Sequence, residues 1–130
     1  MEIPSSVTSI EFGAFWGCTG LMSMEIPSSV TSIGGFAFSG CSGLTSVEIP
    51  SSVTSIGWAA FYECTGLTSV EISGSVTSIE SYAFSGCRKL QTINFTGSIY
   101  QWKSISKGDY WKYGVPATVV HCTDGDVSLE

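Results

Sequence analysis

The chain has 130 residues, a net charge of −6 and only 12% charged residues. This length is typical of one domain, and the acidic balance argues against nucleic acid as a partner, because phosphate binding needs a basic surface. No apolar run approaches the length of a membrane-spanning helix, so membrane insertion is not expected. The N-terminus has no basic segment followed by a hydrophobic one, so the sequence predicts no signal peptide within this chain.

A period of 23 residues organises most of the chain from Glu2 to Ile93. Equivalent residues recur at this interval in four consecutive units: Glu2, Glu25, Glu48 and Glu71; Cys18, Cys41, Cys64 and Cys87; Leu21, Leu44, Leu67 and Leu90. A period in the twenties is typical of a solenoid, in which each unit buries its apolar face against its neighbours. We therefore predict four repeats over 1–93 and a C-terminal capping segment over 94–130.

The third unit predicts the shape of one coil. Residues 47–49 alternate apolar and polar, which predicts a short strand with Glu48 pointing outward. A second short strand is predicted at 53–56, on the opposite side of the coil. Segment 57–64 is predicted to form a tight helical turn that places Phe61 in the core. Units stacked about 4.8 Å apart would then form parallel sheets.

The capping segment departs from the repeat. Its residues Ile99, Trp102 and Ile105 fall on one face of a predicted short helix, and the run 117–122 is typical of a strand. We expect the aromatic residues between them to be buried, because the end of a solenoid must be covered: Tyr110, Trp111 and Tyr113.

The N-terminal end carries no visible cap, since Met1 is directly followed by the repeat. Solenoids normally need capped ends, so we expect either a longer parent protein or a second chain that covers this end. An open end exposes sheet edges, so self-association through the uncapped N-terminal end is a further expectation.

The repeating unit of residues 2–93 resembles the BspA-like class of leucine-rich repeats. The residues that carry the resemblance are Leu44, Val47, Ile49-Pro50, Val53, Ile56, Ala60-Phe61 and Cys64. The resemblance implies a leucine-rich repeat solenoid of short parallel β-strands stacked in a right-handed coil, with few short helical turns and a C-terminal cap. It also implies export or display at a cell surface, typically bacterial, and adhesion to host proteins or other cells.

The periodic cysteines do not have the spacing of a zinc site, which pairs its cysteines two to four residues apart. Disulfides between stacked units are disfavoured as well, because in-register Cβ vectors run parallel instead of towards each other. We therefore predict a ladder of buried thiols that act as small apolar residues.

No catalytic set is found. The adjacent His121 and Cys122 would point to opposite faces of a strand, so they cannot form a nucleophile and base pair. Asp124 and Asp126 lack the further ligands of a calcium loop, and a turn is the better interpretation. Phosphate-binding, dinucleotide-binding and serine-nucleophile motifs are missing from the sequence. We predict a protein that is not an enzyme and that has no cofactor or metal site.

Two surface features are candidates for binding. The first is an acidic inner sheet face with flanking serines, formed by Ser23, Glu25, Ser46, Glu48, Ser69 and Glu71. Neighbouring carboxylates about 5 Å apart in water repel by roughly 0.8 kcal/mol, and nothing in the fold requires an acid there. The stripe either attracts a basic partner segment or a cation, or is only a solvated polar surface.

The second feature is an aromatic patch with a period of 46 residues, formed by Phe12 and Trp16 in the first unit and by Trp58 and Tyr62 in the third. The second and fourth units instead carry Phe36 and Tyr82. These rings could anchor a protein interface, stack on sugar rings or pack between neighbouring coils.

The leading hypothesis is a non-enzymatic interaction module for protein binding or adhesion, secreted or at the cell surface, because a repeat array makes a long surface without a catalytic pocket. The alternatives are carbohydrate binding through the exposed aromatics and a purely structural spacer.

Overall fold

The computed structural model describes residues 3–129, so Met1, Glu2 and Glu130 lie outside the described residues. The chain is a β-solenoid of about five turns with parallel strands and almost no helix, which confirms the fold predicted from the 23-residue period. In chain order its elements are β1 (Ser9–Ile10), β2 (Ser32–Ile33), β3 (Ser46–Glu48), β4 (Ser55–Ile56), β5 (Ser69–Ile72), β6 (Ser78–Ile79), β7 (Thr92–Phe95), α1 (Ile99–Ser104), β8 (Ser106–Lys107), β9 (Val119–Cys122) and β10 (Gly125–Ser128).

Two sheets run along the solenoid. The first sheet contains β1, β2, β4, β6 and β8 in that order, all parallel. The second sheet contains β3, β5, β7 and β9 in parallel, and β10 pairs antiparallel with β9 at its end. The register follows the period, since Ser32 pairs with Ser55 and Glu48 with Glu71. Equivalent side chains of successive coils therefore lie side by side.

The connection from the first sheet to the second is a series of tight turns. In the third coil the Ala60 N–H donates to the Gly57 carbonyl at 3.1 Å, whereas the next amide, Phe61 N–H, donates to the Ala83 carbonyl of the following coil at 2.8 Å. Amides thus alternate between a bond within the coil and a bond to the next coil. An α-helix needs successive amides to bond within their own segment. The predicted helical turn at 57–64 is therefore wrong.

Recurrent left-handed backbone conformations explain this difference. Positive φ angles occur in two columns of turn positions, one formed by Gly13, Phe36, Ala59, Tyr82 and Tyr110 and the other by Gly17, Gly40, Glu63, Gly86 and Gly114. A positive φ interrupts a right-handed helix and is costly for a residue with a Cβ. Glycine at most positions of the second column avoids that cost.

The core is built from in-register columns of buried side chains. Four phenylalanines stack along the axis with ring centroids 5.1–5.3 Å apart and planes within 7° of parallel, and we call them the phenylalanine ladder: Phe15, Phe38, Phe61 and Phe84. Trp111 packs edge-on against Phe84 at 6.3 Å and contacts Trp102 at 5.8 Å. These two tryptophans close the C-terminal end of the ladder.

The predicted column of buried thiols is confirmed at Cys41, Cys64 and Cys87, while Cys18 is half-buried. Each buried thiol donates to a main-chain carbonyl of the preceding coil at 3.1–3.2 Å. Burial raises the pKa of Cys41 to about 12. The thiol is therefore protonated at neutral pH and acts as a small core residue instead of a nucleophile.

Both sheets continue beyond the fourth repeat. Ser106 of β8 pairs with Ser78 of β6, 28 residues earlier, because α1 lengthens this turn of the solenoid. The helix begins with a capping box in which the Ser98 side chain accepts from the Gln101 N–H at 3.1 Å and Gln101 Oε1 accepts from the Ser98 N–H at 2.8 Å. The boundary between repeats and cap at residues 93 and 94 stays a prediction.

The aromatic residues of the C-terminal segment fall into two groups. Trp102 and Trp111 are buried as expected, but Tyr110 and Tyr113 are exposed, so the expectation is wrong for these tyrosines. The residues inserted around α1 shift the register, and the carbonyls of Asp109 and Tyr113 accept amides of the fourth coil in the same way that earlier coils pair their turns. Tyr110 and Tyr113 consequently occupy outer turn positions.

Candidate functional site

The predicted acidic stripe lies on the outward face of the second sheet. Glu25 and Glu48 are exposed, Glu71 is half-buried, and we call these three residues the glutamate row. In-register pairing across β3 and β5 joins Glu48 to Glu71 and Ser46 to Ser69. All six predicted residues line one groove of about 900 Å³: Ser23, Glu25, Ser46, Glu48, Ser69 and Glu71. The fourth glutamate of the sequence pattern, Glu2, lies outside the described residues.

The charged residues of the groove all have the same sign. The residues that line it include three glutamates and no lysine or arginine. Carboxylates on neighbouring coils, about 4.8 Å apart along the sheet, repel each other and are screened by salt. A basic group placed in this groove would relieve that repulsion.

The row continues past the residues that the sequence pattern indicated. Asn94, His121 and Asp126 extend it across β7, β9 and β10, in register with Glu71. His121 Nδ1 lies 2.8 Å from Asp126 Oδ1, so the two side chains at this end of the row are hydrogen-bonded to each other. The 23-residue pattern does not predict this extension, because α1 breaks the period. The available signal was Asn94, which follows Glu71 by one period.

The predicted aromatic patch is part of a longer surface on the turn side of the solenoid. Ring contacts join eight residues from the first coil to the fifth, and we call them the aromatic stripe: Phe12, Trp16, Phe36, Trp58, Tyr62, Tyr82, Tyr110 and Tyr113. Phe36 connects the first coil to the third, since its ring lies 4.8 Å from that of Trp16 and 4.9 Å from that of Trp58. Rings therefore pack between neighbouring coils and remain exposed as well.

Small residues make room for this packing in alternate coils. Gly35 occupies the position equivalent to Trp58, and a Cβ there would lie 3.3 Å from the Phe12 ring. Ser39 and Ser85 occupy the positions equivalent to Trp16 and Tyr62, and both serines are buried. The spacing of 46 residues thus corresponds to an alternation of large rings with glycine or serine in these two columns.

The residues that could suggest catalysis have other roles. Asp124 Oδ1 accepts the Ile99 N–H at 2.8 Å and caps the start of α1, so it belongs to the turn that the sequence predicted. Cys122 is half-buried, and burial together with the carboxylates of Asp124 and Asp126 raises the pKa of its thiol. In residues 3–129 no three His, Cys, Asp or Glu side chains are grouped to hold a metal ion. Over the same residues, no helix has the length and apolar character that crossing a bilayer requires.

The stacked coils and their leucine, isoleucine and cysteine columns define a leucine-rich repeat solenoid. A family model described as BspA type Leucine rich repeat region matches residues 1–106 in six copies. The chain therefore belongs to the BspA type leucine rich repeat family, as the sequence resemblance predicts. Repeats of this family generally act as protein-interaction modules and are typically not enzymes. Comparison with curated proteins found no match.

Solved structures of bacterial leucine-rich repeat proteins have the same fold. A T. pallidum leucine rich repeat protein is 30% identical with a TM-score of 0.76, and the match covers 87% of this chain and 50% of that one. A leucine rich cell surface protein from Faecalibacterium prausnitzii is 36% identical with a TM-score of 0.64, covering 82% of this chain and 34% of that one. A leucine-rich repeat protein from Eubacterium ventriosum is 25% identical with a TM-score of 0.70, covering 96% of this chain and 40% of that one. The chain thus spans half or less of the length of these proteins.

Proposed function

We propose that the chain is a non-enzymatic adhesion module at a bacterial cell surface, and that its glutamate row binds a basic segment of a protein partner. Membership of a family whose repeats generally mediate protein interactions supports the class of function. The description of the Faecalibacterium prausnitzii relative as a leucine rich cell surface protein supports the location.

The observation that carries the proposal is the repetition of one polar pair on three successive coils. A serine and, two residues later, a glutamate point to the same side of the second sheet because side chains alternate along a strand. The charged residues that line this groove are all glutamates. A protein partner with several basic side chains can therefore engage several coils at once.

The strength of such binding depends on many weak contacts. An exposed ion pair contributes about 0.2–1 kcal/mol, and salt reduces this contribution. Losing two pairs corresponds to a loss of about 2- to 30-fold in affinity. The proposal therefore implies salt-sensitive binding whose affinity grows with the number of glutamates engaged.

The test is a binding assay of the full chain against a panel of purified extracellular proteins at low and at high salt. The informative variant is the double substitution Glu48→Gln and Glu71→Gln. Its matched control is Glu11→Gln with Glu80→Gln, which removes the same charge from two exposed residues outside the groove.

We expect the groove variant to weaken binding within the range given above and the control variant to leave it unchanged. Equal losses for both variants would mean that only the overall charge matters. A partner whose affinity is insensitive to salt and to the groove variant would refute the role of the glutamate row. If no protein binds at either salt concentration, the proposal of protein binding is wrong.

A further inference from the structure

We propose that the aromatic stripe is a second binding surface, and that it binds a neutral, β-linked polysaccharide chain lying along the solenoid axis. This proposal does not depend on the glutamate row, which lies on the second sheet and shares no residue with the stripe. The core does not need these rings, because the phenylalanine ladder already fills the interior of each coil.

The stripe contains one straight row of rings with a constant interval. Trp16, Tyr62 and Tyr113 occupy equivalent turn positions in the first, third and fifth coils and are 56%, 36% and 68% exposed. Main-chain hydrogen bonds fix this alignment, since Gly17 donates to Ser39 and Gly40 to Tyr62. The intervening coils have serine at this position. Exposed rings therefore alternate with short buried side chains along the axis.

The interval of this row has the dimension of a disaccharide. Two coils rise about 9.6 Å, twice the spacing of neighbouring strands. An extended β-1,4-linked chain turns successive sugars over, so every second sugar presents the same face, and this repeat is close to the rise of two coils. Aromatic faces carry partial negative charge and attract the polarised C–H groups of a sugar ring. One ligand chain can therefore place an equivalent sugar on each ring of the row.

The charges around the stripe favour a neutral glycan. Four acidic residues adjoin stripe residues in sequence or lie within two residues of them, against one basic residue, Lys112: Glu11, Glu63, Glu80 and Asp109. Sulfated or uronic-acid chains would meet carboxylates of the same sign, which disfavours them. The same carboxylates, together with the tyrosine hydroxyls, can accept hydrogen bonds from sugar hydroxyls.

A periodic ligand also fits better than a folded protein surface. The two-coil spacing recurs at the neighbouring turn position, where Phe12 and Trp58 are exposed and Gly35 lies between them. Both turn positions therefore offer the same spacing along one axis. A polysaccharide repeats along its length with a fixed step, whereas the surface of a globular partner does not.

The test measures binding of the full chain to soluble β-1,4-linked glucose and N-acetylglucosamine oligomers by isothermal titration calorimetry, with α-linked glucose oligomers of equal length as ligand controls. We expect affinity to rise stepwise from two to six sugars, since longer chains reach further rings of the row. Substitution Trp58→Ala or the pair Trp16→Ala and Tyr62→Ala should weaken hexamer binding at least about tenfold. Tyr100→Ala is the matched control, because Tyr100 is an exposed tyrosine on α1, outside the stripe.

Circular dichroism of each variant separates loss of binding from loss of fold, and Trp58→Phe, which keeps a ring, should retain most of the affinity. Absence of binding to both β-linked series would overturn the proposal. Equal binding of the α-linked control, or equal effects of Trp58→Ala and Tyr100→Ala, would overturn it as well. If the stripe variants instead abolish capture of a protein partner, the stripe is a protein interface and the glycan proposal is wrong.

Discussion

Phe61 lies in the middle of the phenylalanine ladder, and its ring is stacked on both sides. Its centroid is 5.1 Å from that of Phe38 and 5.2 Å from that of Phe84, with planes within 4° of parallel. Leucine at this position would keep an apolar side chain of comparable size but remove both ring stacks. Each aromatic pair contributes about 0.5–1.5 kcal/mol beyond the buried area. We therefore expect Phe61→Leu to lower the free energy of unfolding by about 1–3 kcal/mol.

The matched comparison is Phe15→Leu at the start of the ladder. Phe15 is half-buried and, among the described residues, stacks on Phe38 alone. This substitution should cost about half as much, roughly 0.5–1.5 kcal/mol. Equilibrium urea unfolding followed by circular dichroism measures both values. Equal costs for Phe15→Leu and Phe61→Leu would show that stacking between coils is not the source of the energy.

Two further predictions concern the turns and the thiols. Gly40→Ala should destabilise the fold by about 1–2 kcal/mol, because the φ angle of Gly40 is +75°. The new Cβ would cause no clash, since the nearest atom, Gly17 Cα, is 3.7 Å away, so the cost comes from the backbone conformation alone. Glu63→Gly, at φ +59° in the same column, should be neutral or stabilising, and a clear loss of stability in urea would contradict this account. Because burial raises the pKa of Cys41 from 9.0 to about 12, the folded state prefers the neutral thiol. Stability should therefore be unaffected by this group below pH 9 and fall as pH rises from 9 towards 12. Urea midpoints across that range should fall less steeply for Cys41→Ala, and an unchanged slope would exclude this thiol as a cause.

The columns of the core could be predicted, because the 23-residue period alone determines which residues of successive coils lie side by side. Once residues 23 positions apart lie side by side, Leu67 must lie beside Leu44, and Cys64 beside Cys41, whatever the coil looks like in detail. The glutamate row could be predicted for the same reason. Its groove was not predictable, because the depth of a groove depends on how the coils are stacked.

The turns were harder to predict because their signal is spread over several units. Segment 57–64 has only Gly57 as a glycine, and its Ala59 and Glu63 gave no warning of positive φ. The equivalent positions in other units contain Gly13, Gly17, Gly40 and Gly86, which together indicate left-handed turns instead of a helix. The signal for left-handed turns therefore lies in the column of equivalent positions and not in any single unit.

The alternation of rings on the outer surface also constrains how the length of such an array can change. Removal of a single unit of 23 residues would bring Phe12 and Trp16 into the columns directly beside Trp58 and Tyr62. Neighbouring rings of one column would then have to stack face to face, as the phenylalanine ladder does at 5.1–5.3 Å, instead of lying beside small residues. Removal or duplication of 46 residues keeps the alternation of large rings with glycine or serine in these two columns. A change of one coil therefore keeps the columns of the core but alters the order of large and small residues in these two columns of the stripe, whereas a change of two coils keeps both.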